Sequence, residues 1–164
     1  MKKTVSFLLL MVTIMSTNAQ NNDSLLFSQI TINAFSIVQT ENSLTTLLGN
    51  PSSIDNYENE INKETWLDYK YSVNSFYFFE NKMVSFDLKN SAFYFYNPSI
   101  KAGNNISEVS SFFPNSYSNR EVIDNLGFII IDINMQDGTA SDTFVVINYS
   151  PTSNVISSIH LGSK

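Results

Sequence analysis

Two short segments of the chain space their apolar residues as helices do, and most of the remainder alternates. Leu44, Leu47 and Leu48 stand at i, i+3 and i+4, one face of a short helix. Asn42 is placed to cap its start, Gly49 can take the left-handed conformation at its end, and Pro51 forbids continuation. Val109, Phe112 and Phe113 repeat that face, after Asn105 and Glu108 spaced as a capping box and before a Pro114 read as the stop. Ile30, Ile32 and Ala34 alternate with Thr31 and Asn33, a strand signal running towards Ile37. From Thr65 the aromatic residues arrive. Trp66–Tyr71, Ser75–Phe79, Met83–Leu88 and Ser91–Tyr96 read as four strands with turn-like links, and Phe128–Met135, Asp142–Tyr149 and Val155–Leu161 as three more. Residues 52–64 and 115–125 are polar and unpatterned, and are predicted to be exposed loops.

An offset of 63 pairs Ile30 with Phe93, Ile32 with Phe95, Asn42 with Asn105 and Pro51 with Pro114, whereas the helix faces need 65. The pattern predicts two pseudo-repeats, about 28–90 and 91–164, each strand–helix–three strands. The expected fold class is α+β: one curved antiparallel sheet of about eight strands with both helices on one face.

The first residues have the order of a secretory leader. Lys2-Lys3 precede an apolar run from Ser6 to Met15, and Thr17-Asn18-Ala19 offers a cleavage site before Gln20. The apolar run falls short of the ~20 residues of a membrane span. Residues 1–19 are therefore expected to be a signal peptide and 20–164 one exported domain, periplasmic or secreted. Without Lys2 and Lys3, seven cationic side chains face fifteen acidic ones, a net charge of −8. An acidic chain with no basic cluster argues against nucleic acid, and no integral membrane segment is expected after cleavage. The absence of cysteine excludes disulfides, thiolate metal sites, a cysteine nucleophile and a lipid-bearing Cys.

Leu48-Gly49-Asn50-Pro51, then Trp66-Leu67-Asp68-Tyr69, then Val84-Ser85-Phe86 resemble the small barrel-assembly lipoproteins of the SmpA/OmlA type. There a helix ending in Leu-Gly-x-Pro is followed by Trp-x-Tyr and a Val-x-Phe strand. The tandem arrangement is similar to that of the β-lactamase inhibitor protein family, in which two such units form a concave sheet that grips an enzyme. The resemblance spans about residues 36–90, and 99–161 more loosely. The chain departs from these families in lacking the lipid-bearing Cys and the inhibitor's Cys pairs, and Thr40 stands where a Gly is usual before the first helix. The resemblance implies an envelope scaffold or an inhibitor-like binding module.

Chemistry is sparse. The one histidine, His160, supplies at most one metal ligand and has no triad partners that the sequence can name. Asp132–Gly138 superficially resembles a calcium loop, but its glycine is one place late and Ile133 and Met135 suit a strand, which favours a hairpin. Asp55, Glu58, Glu60, Glu64 and Asp68 form an acidic cluster that could hold a cation or a basic partner, or simply remain hydrated. No phosphate loop or nucleophile elbow occurs, and neither cofactor nor metal is expected.

The positive signal is aromatic. Tyr69, Tyr71, Tyr77, Tyr94 and Tyr96 fall in neighbouring predicted strands, and helices can cover only one face of a sheet. Phe93 and Phe95 are expected to face the helices, with Tyr94 and Tyr96 emerging opposite and Tyr71 joining them. The leading expectation is a non-enzymatic module that binds an unidentified protein partner through Tyr71, Tyr94 and Tyr96. The alternatives are a small extracytoplasmic enzyme or sugar-binding protein with a pocket between loops 52–64 and 115–125, and a self-associating structural subunit.

Overall fold

A computed structural model of the protein describes residues 21–60 and 63–163, and the backbone there is mostly β. The expected leader lies outside the described residues. Strand β1 (Ser24–Leu26) passes through a 3-10 turn (Phe27–Gln29) into a small hairpin of β2 (Thr31–Ile32) and β3 (Phe35–Ser36). Helix α1 (Glu41–Leu48) precedes β4 (Ser53–Glu58), β5 (Thr65–Tyr71), β6 (Asn74–Phe79) and β7 (Lys82–Leu88). An irregular stretch over 89–105 leads to a 3-10 helix (Ile106–Ser111) and α2 (Pro114–Ser118). The chain ends in β8 (Glu121–Ile123), β9 (Leu126–Asn134), β10 (Ala140–Ser150) and β11 (Val155–Ser163).

Nine strands make one sheet, ordered β1-β9-β10-β11-β7-β6-β5-β4, with β8 sharing the edge of β9. Each half of the chain thus contributes a helical segment followed by a run of four antiparallel strands. The runs meet last strand to last strand, where Leu88 opposes Ile159 and Asp87 opposes His160. Two-residue turns set the registers. Glu80-Asn81 and Asp124-Asn125 carry positive φ at both residues (49° and 64°, 50° and 66°), the geometry that matches strand twist in a tight hairpin.

The core occupies one side of the sheet. Alternate residues of each long strand, such as Phe76 and Phe78, Ile129 and Ile131, or Val145 and Ile147, are almost wholly buried there. The β2–β3 hairpin, α1, residues 89–105 and the two later helices lie over them, contributing Phe35, Leu44, Phe95, Val109 and Phe113. Phe95 ties these layers together. Its ring stacks on Phe86 (6.3 Å, 27°) and Phe113 (6.2 Å, 25°), and its backbone bridges Ile32. Burying one such ring contributes about 1.5–3 kcal/mol.

The expected α+β class with two helices on an antiparallel sheet is overturned: the chain is mostly β and the sheet is mixed, because β1 runs parallel to β9. Each half has four strands after its helix rather than one before and three after. Residues 53–58 of the expected first loop form the edge strand β4, and the second expected loop holds α2 and β8. Ser91–Tyr96 is not a strand; its two-residue period survives as burial of Phe93 and Phe95, but Tyr96 turns to φ 61° and ends the extended course. Thr40, not Asn42, occupies the N-cap position of α1. Asn105 does cap the later helix, its side chain accepting from Ser107 N, but that helix is 3-10, with Ile106 and Val109 buried at i and i+3. Pro114 opens α2 at its first turn instead of closing the helix before it, a position where the missing N–H costs nothing. Leu47 and Phe112, expected in the core, are 48% and 37% exposed.

Candidate functional site

Among the described residues, no helix or hairpin lies over the second face of the sheet at β4 to β7. The registers place Asp55 opposite Asp68, Asp68 opposite Tyr77 and Tyr77 opposite Ser85 along one row. The next row runs Ser53, Lys70, Ser75, Asp87, His160 and Val146. Directly opposed side chains share a face, so these rows stand on the side away from the core. Two-residue alternation explains their composition: Tyr69, Phe76 and Phe86 of the core are each followed by a polar or amphipathic residue, Lys70, Tyr77 and Asp87.

At the β4 end, Tyr57, Trp66 and Tyr77 form a ring cluster. Their centroids lie 5.1 Å (Tyr57–Tyr77), 5.9 Å (Tyr57–Trp66) and 6.3 Å (Trp66–Tyr77) apart, with planes inclined by 37–58°. Trp66 Nε1 donates to Glu64 Oε2 at 3.0 Å, which fixes the indole, and Tyr57 is 44% exposed. Beside the rings, Lys70 Nζ donates to Asp55 Oδ2 at 2.6 Å and stands 3.8 Å from Asp68 Oδ2. The shared bond holds the Asp55 carboxyl below its usual range and lifts the Lys70 ammonium above its own. Asp68 is only 6% exposed, and its Oδ1 is buried without a hydrogen-bond partner. Burial pushes its carboxyl up, against the opposing pulls of the Ser75 hydroxyl and Lys70.

Towards the seam, Asp87 and Lys89 pair at 2.5 Å. His160 faces Asp87 across the strands and lies 3.4 Å from the Asn148 amide, which also donates to Ser158 Oγ at 3.0 Å. Burial pushes the imidazole down, so the neutral ring is favoured. A groove at the end of the face, lined by Trp66, Val84, Ser85, Thr143 and Gly162, holds about 190 Å³. That is short of the ~300–1,000 Å³ that encloses a small molecule.

The tyrosines singled out from the sequence stand elsewhere. Tyr71 is half-buried on the core side, edge-on to Phe76 and Phe93, its hydroxyl donating to Gly49 O at 2.8 Å. Tyr94 is half-buried in the irregular stretch, where Asn33 N donates to its carbonyl and its own N donates to Asn33 Oδ1. Tyr96, 39% exposed, packs against Phe112 and Phe113. The structure brings none of the three to the uncovered face, because the segment carrying Tyr94 and Tyr96 lies over the core instead of adding a strand. β4 and β8, the strands that the two expected loops contain, stand at opposite edges of the sheet with six strands between them, so among the described residues no pocket forms between them. Sequence reasoning gives no binding role to Tyr57 or Trp66, whereas Asp55 and Asp68 already stand in the acidic cluster and Tyr77 among the strand tyrosines. The period of Trp66, Asp68 and Lys70 along β5 was the available signal.

No family model matches the chain, and no curated protein matches it. Among solved structures, an extracellular protein containing a SCP domain from Bacillus anthracis str. Ames aligns over 91% of this chain at 11% identity, with a TM-score of 0.45. The alignment covers 48% of that protein, so this chain spans about half its length.

Proposed function

We propose that the protein is an exported, non-catalytic module that binds a protein partner through the uncovered face of its sheet. One observation carries this reading: the core lies on one side, while the other side displays a fixed aromatic cluster beside a carboxylate buried without a full set of hydrogen bonds. Exposed aromatic side chains set among polar ones are the composition of recognition surfaces. The order of residues 1–19 supports export, and among the described residues no helix is long and apolar enough to cross a membrane.

The cysteine-free sequence supplies the test. Ser53→Cys places a unique thiol on the uncovered face, and Glu108→Cys places one on the helical side. Each variant carries a thiol-linked photo-crosslinker and is incubated with envelope and culture fractions of the source cells. The reading expects one discrete heterologous adduct from Ser53→Cys, suppressed by excess unlabelled protein, and none from Glu108→Cys. Adducts with the protein itself alone would favour the self-associating subunit, and equal labelling from both positions would overturn the face assignment.

A further inference from the structure

The uncovered face near β4 has an electrostatic imbalance that identifies its ligand. Asp55 and Asp68 share the single ammonium of Lys70, which is committed to Asp55 and reaches Asp68 at one oxygen only, at 3.8 Å. Asp68 Oδ1 is left with no donor, although the residue is 6% exposed. An unpaired buried carboxylate oxygen is unfavourable, and a donor brought by a bound partner would offset that cost. The same spot offers three aromatic rings, one of them the only tryptophan of the chain.

We propose that this part of the face binds an arginine side chain of the partner, with its guanidinium laid on the Tyr57–Trp66 rings and hydrogen-bonded to Asp68 and Asp55 in place of Lys70. The inference rests on the uncovered face being the binding surface. Three features select arginine. A guanidinium is planar, stacks on aromatic faces and presents a fork of in-plane donors that fits carboxylates. A lysine would repeat the point charge that Lys70 already provides, and Lys70 leaves Oδ1 unpaired. A pyranose stacks on one broad flat surface, whereas these rings are inclined by 37–58° to one another. A metal ion would need at least three converging ligands, and among the described residues no such group occurs. Lys70, with its side chain 40% exposed at the surface, swings towards solvent to admit the guanidinium. Burial raises the Asp68 carboxyl despite the Ser75 hydroxyl and Lys70, which agrees with a group whose charge is incompletely compensated in the free protein.

Because Trp66 is the only tryptophan, its fluorescence reports on this site alone. The probes are the blocked tripeptide Gly-Arg-Gly, its citrulline and lysine counterparts, and cellobiose. The Arg peptide should produce a saturable change in emission. The citrulline peptide, which keeps the shape and loses the charge, should bind at least about tenfold more weakly, as should the Arg peptide to Asp68→Asn. Lys70→Met should tighten Arg binding several-fold, because the competing internal cation is gone. That gain separates the proposal from a merely structural role for Asp68, and thermal midpoints of both variants establish that they are folded. No saturation with the Arg peptide, equal response to citrulline or lysine, response to cellobiose alone, or weaker binding by Lys70→Met would each overturn the proposal. Crosslinking from Ser53→Cys is read independently, so a partner held on this face by other chemistry would be distinguished from no partner at all.

Discussion

Gly127 is the position where a single added carbon should do the most damage. It lies in β9 directly opposite Tyr149 of β10, and the tyrosine ring lies across the space a side chain would fill. A Cβ built at Gly127 comes within 2.6 Å of three ring carbons, Cζ, Cε1 and Cε2. Carbons in contact stand about 3.5–4.0 Å apart, so the ring would have to retreat by about 1 Å. Tyr149 is only 3% exposed, which leaves it no free space to enter. Overpacking of this kind costs about 1–3 kcal/mol. With a urea m-value of about 1–3 kcal/mol/M, the unfolding midpoint of Gly127→Ala should fall by about 1 M. In a Tyr149→Ala background the clash is absent, and alanine should gain the ~0.5–1 kcal/mol by which it exceeds glycine within a strand. The double-mutant cycle should therefore show coupling of about 2 kcal/mol or more. An unchanged midpoint for Gly127→Ala, or the same loss in both backgrounds, would refute the ring-over-glycine reasoning.

Three further outcomes follow from burial and hydrogen bonding. Leu44→Ala should lower stability by about 2–5 kcal/mol, whereas Leu47→Ala, half exposed on the same helix, should stay within about 0.5 kcal/mol by denaturant titration. Asn74 is fully buried, with its amide donating to Tyr71 O and Asn90 Oδ1 and its Oδ1 accepting from Lys89 N, so Asn74→Ala should cost about 1–3 kcal/mol in the same assay. Burial, then the bond to Glu41, raises the Tyr69 hydroxyl from 10 to about 12. Since the folded value lies above the unfolded one, this contribution is complete below pH 10 and is lost as pH rises from 10 towards 12. Tyr69→Phe should flatten that part of the alkaline stability profile, measured against the ultraviolet titration of tyrosinate.

The parts of the fold legible in the sequence were those where burial alternates. Strands β6, β7, β9, β10 and β11 each bury one face more fully than the other, and that asymmetry is written as a two-residue period. Gly49, at φ 81°, closes α1 as its position suggested. β4 escaped notice because every residue from Ser53 to Glu58 is exposed, so no burial shaped its pattern. The segment from Ser91 to Tyr96 misled for the opposite reason: it alternates in burial without pairing as a strand, since its partner is a single bridge to Ile32. Val109, Phe112 and Phe113 looked α-helical because i, i+3 and i+4 serve that face, but in the tighter 3-10 turn Phe112 swings outward while Phe113 is buried. The candidate site was legible only in pieces, as the acidic residues Asp55 and Asp68 and the strand tyrosine Tyr77. Tyr57, Trp66 and Tyr77 come from three strands, and their meeting depends on registers that no local pattern contains.

The parallel pairing of β1 with β9 imposes an order on folding. Ser24 lies against Asp132, more than a hundred residues further on, and the Asp23 carboxylate caps α2 through Ser116 N at 2.8 Å. As the chain emerges from its N-terminus, β4 to β7 meet their neighbours across short turns and can condense early. The strand that emerges before them has nothing to join until most of the protein exists. Such a distant contact carries the largest loop-closure entropy and forms late. The first strand of the sheet is thus the last to be sewn in, and until then the Asp132–Asn134 end of β9, beyond the part that β8 covers, stands open as a template for any extended segment that reaches it first.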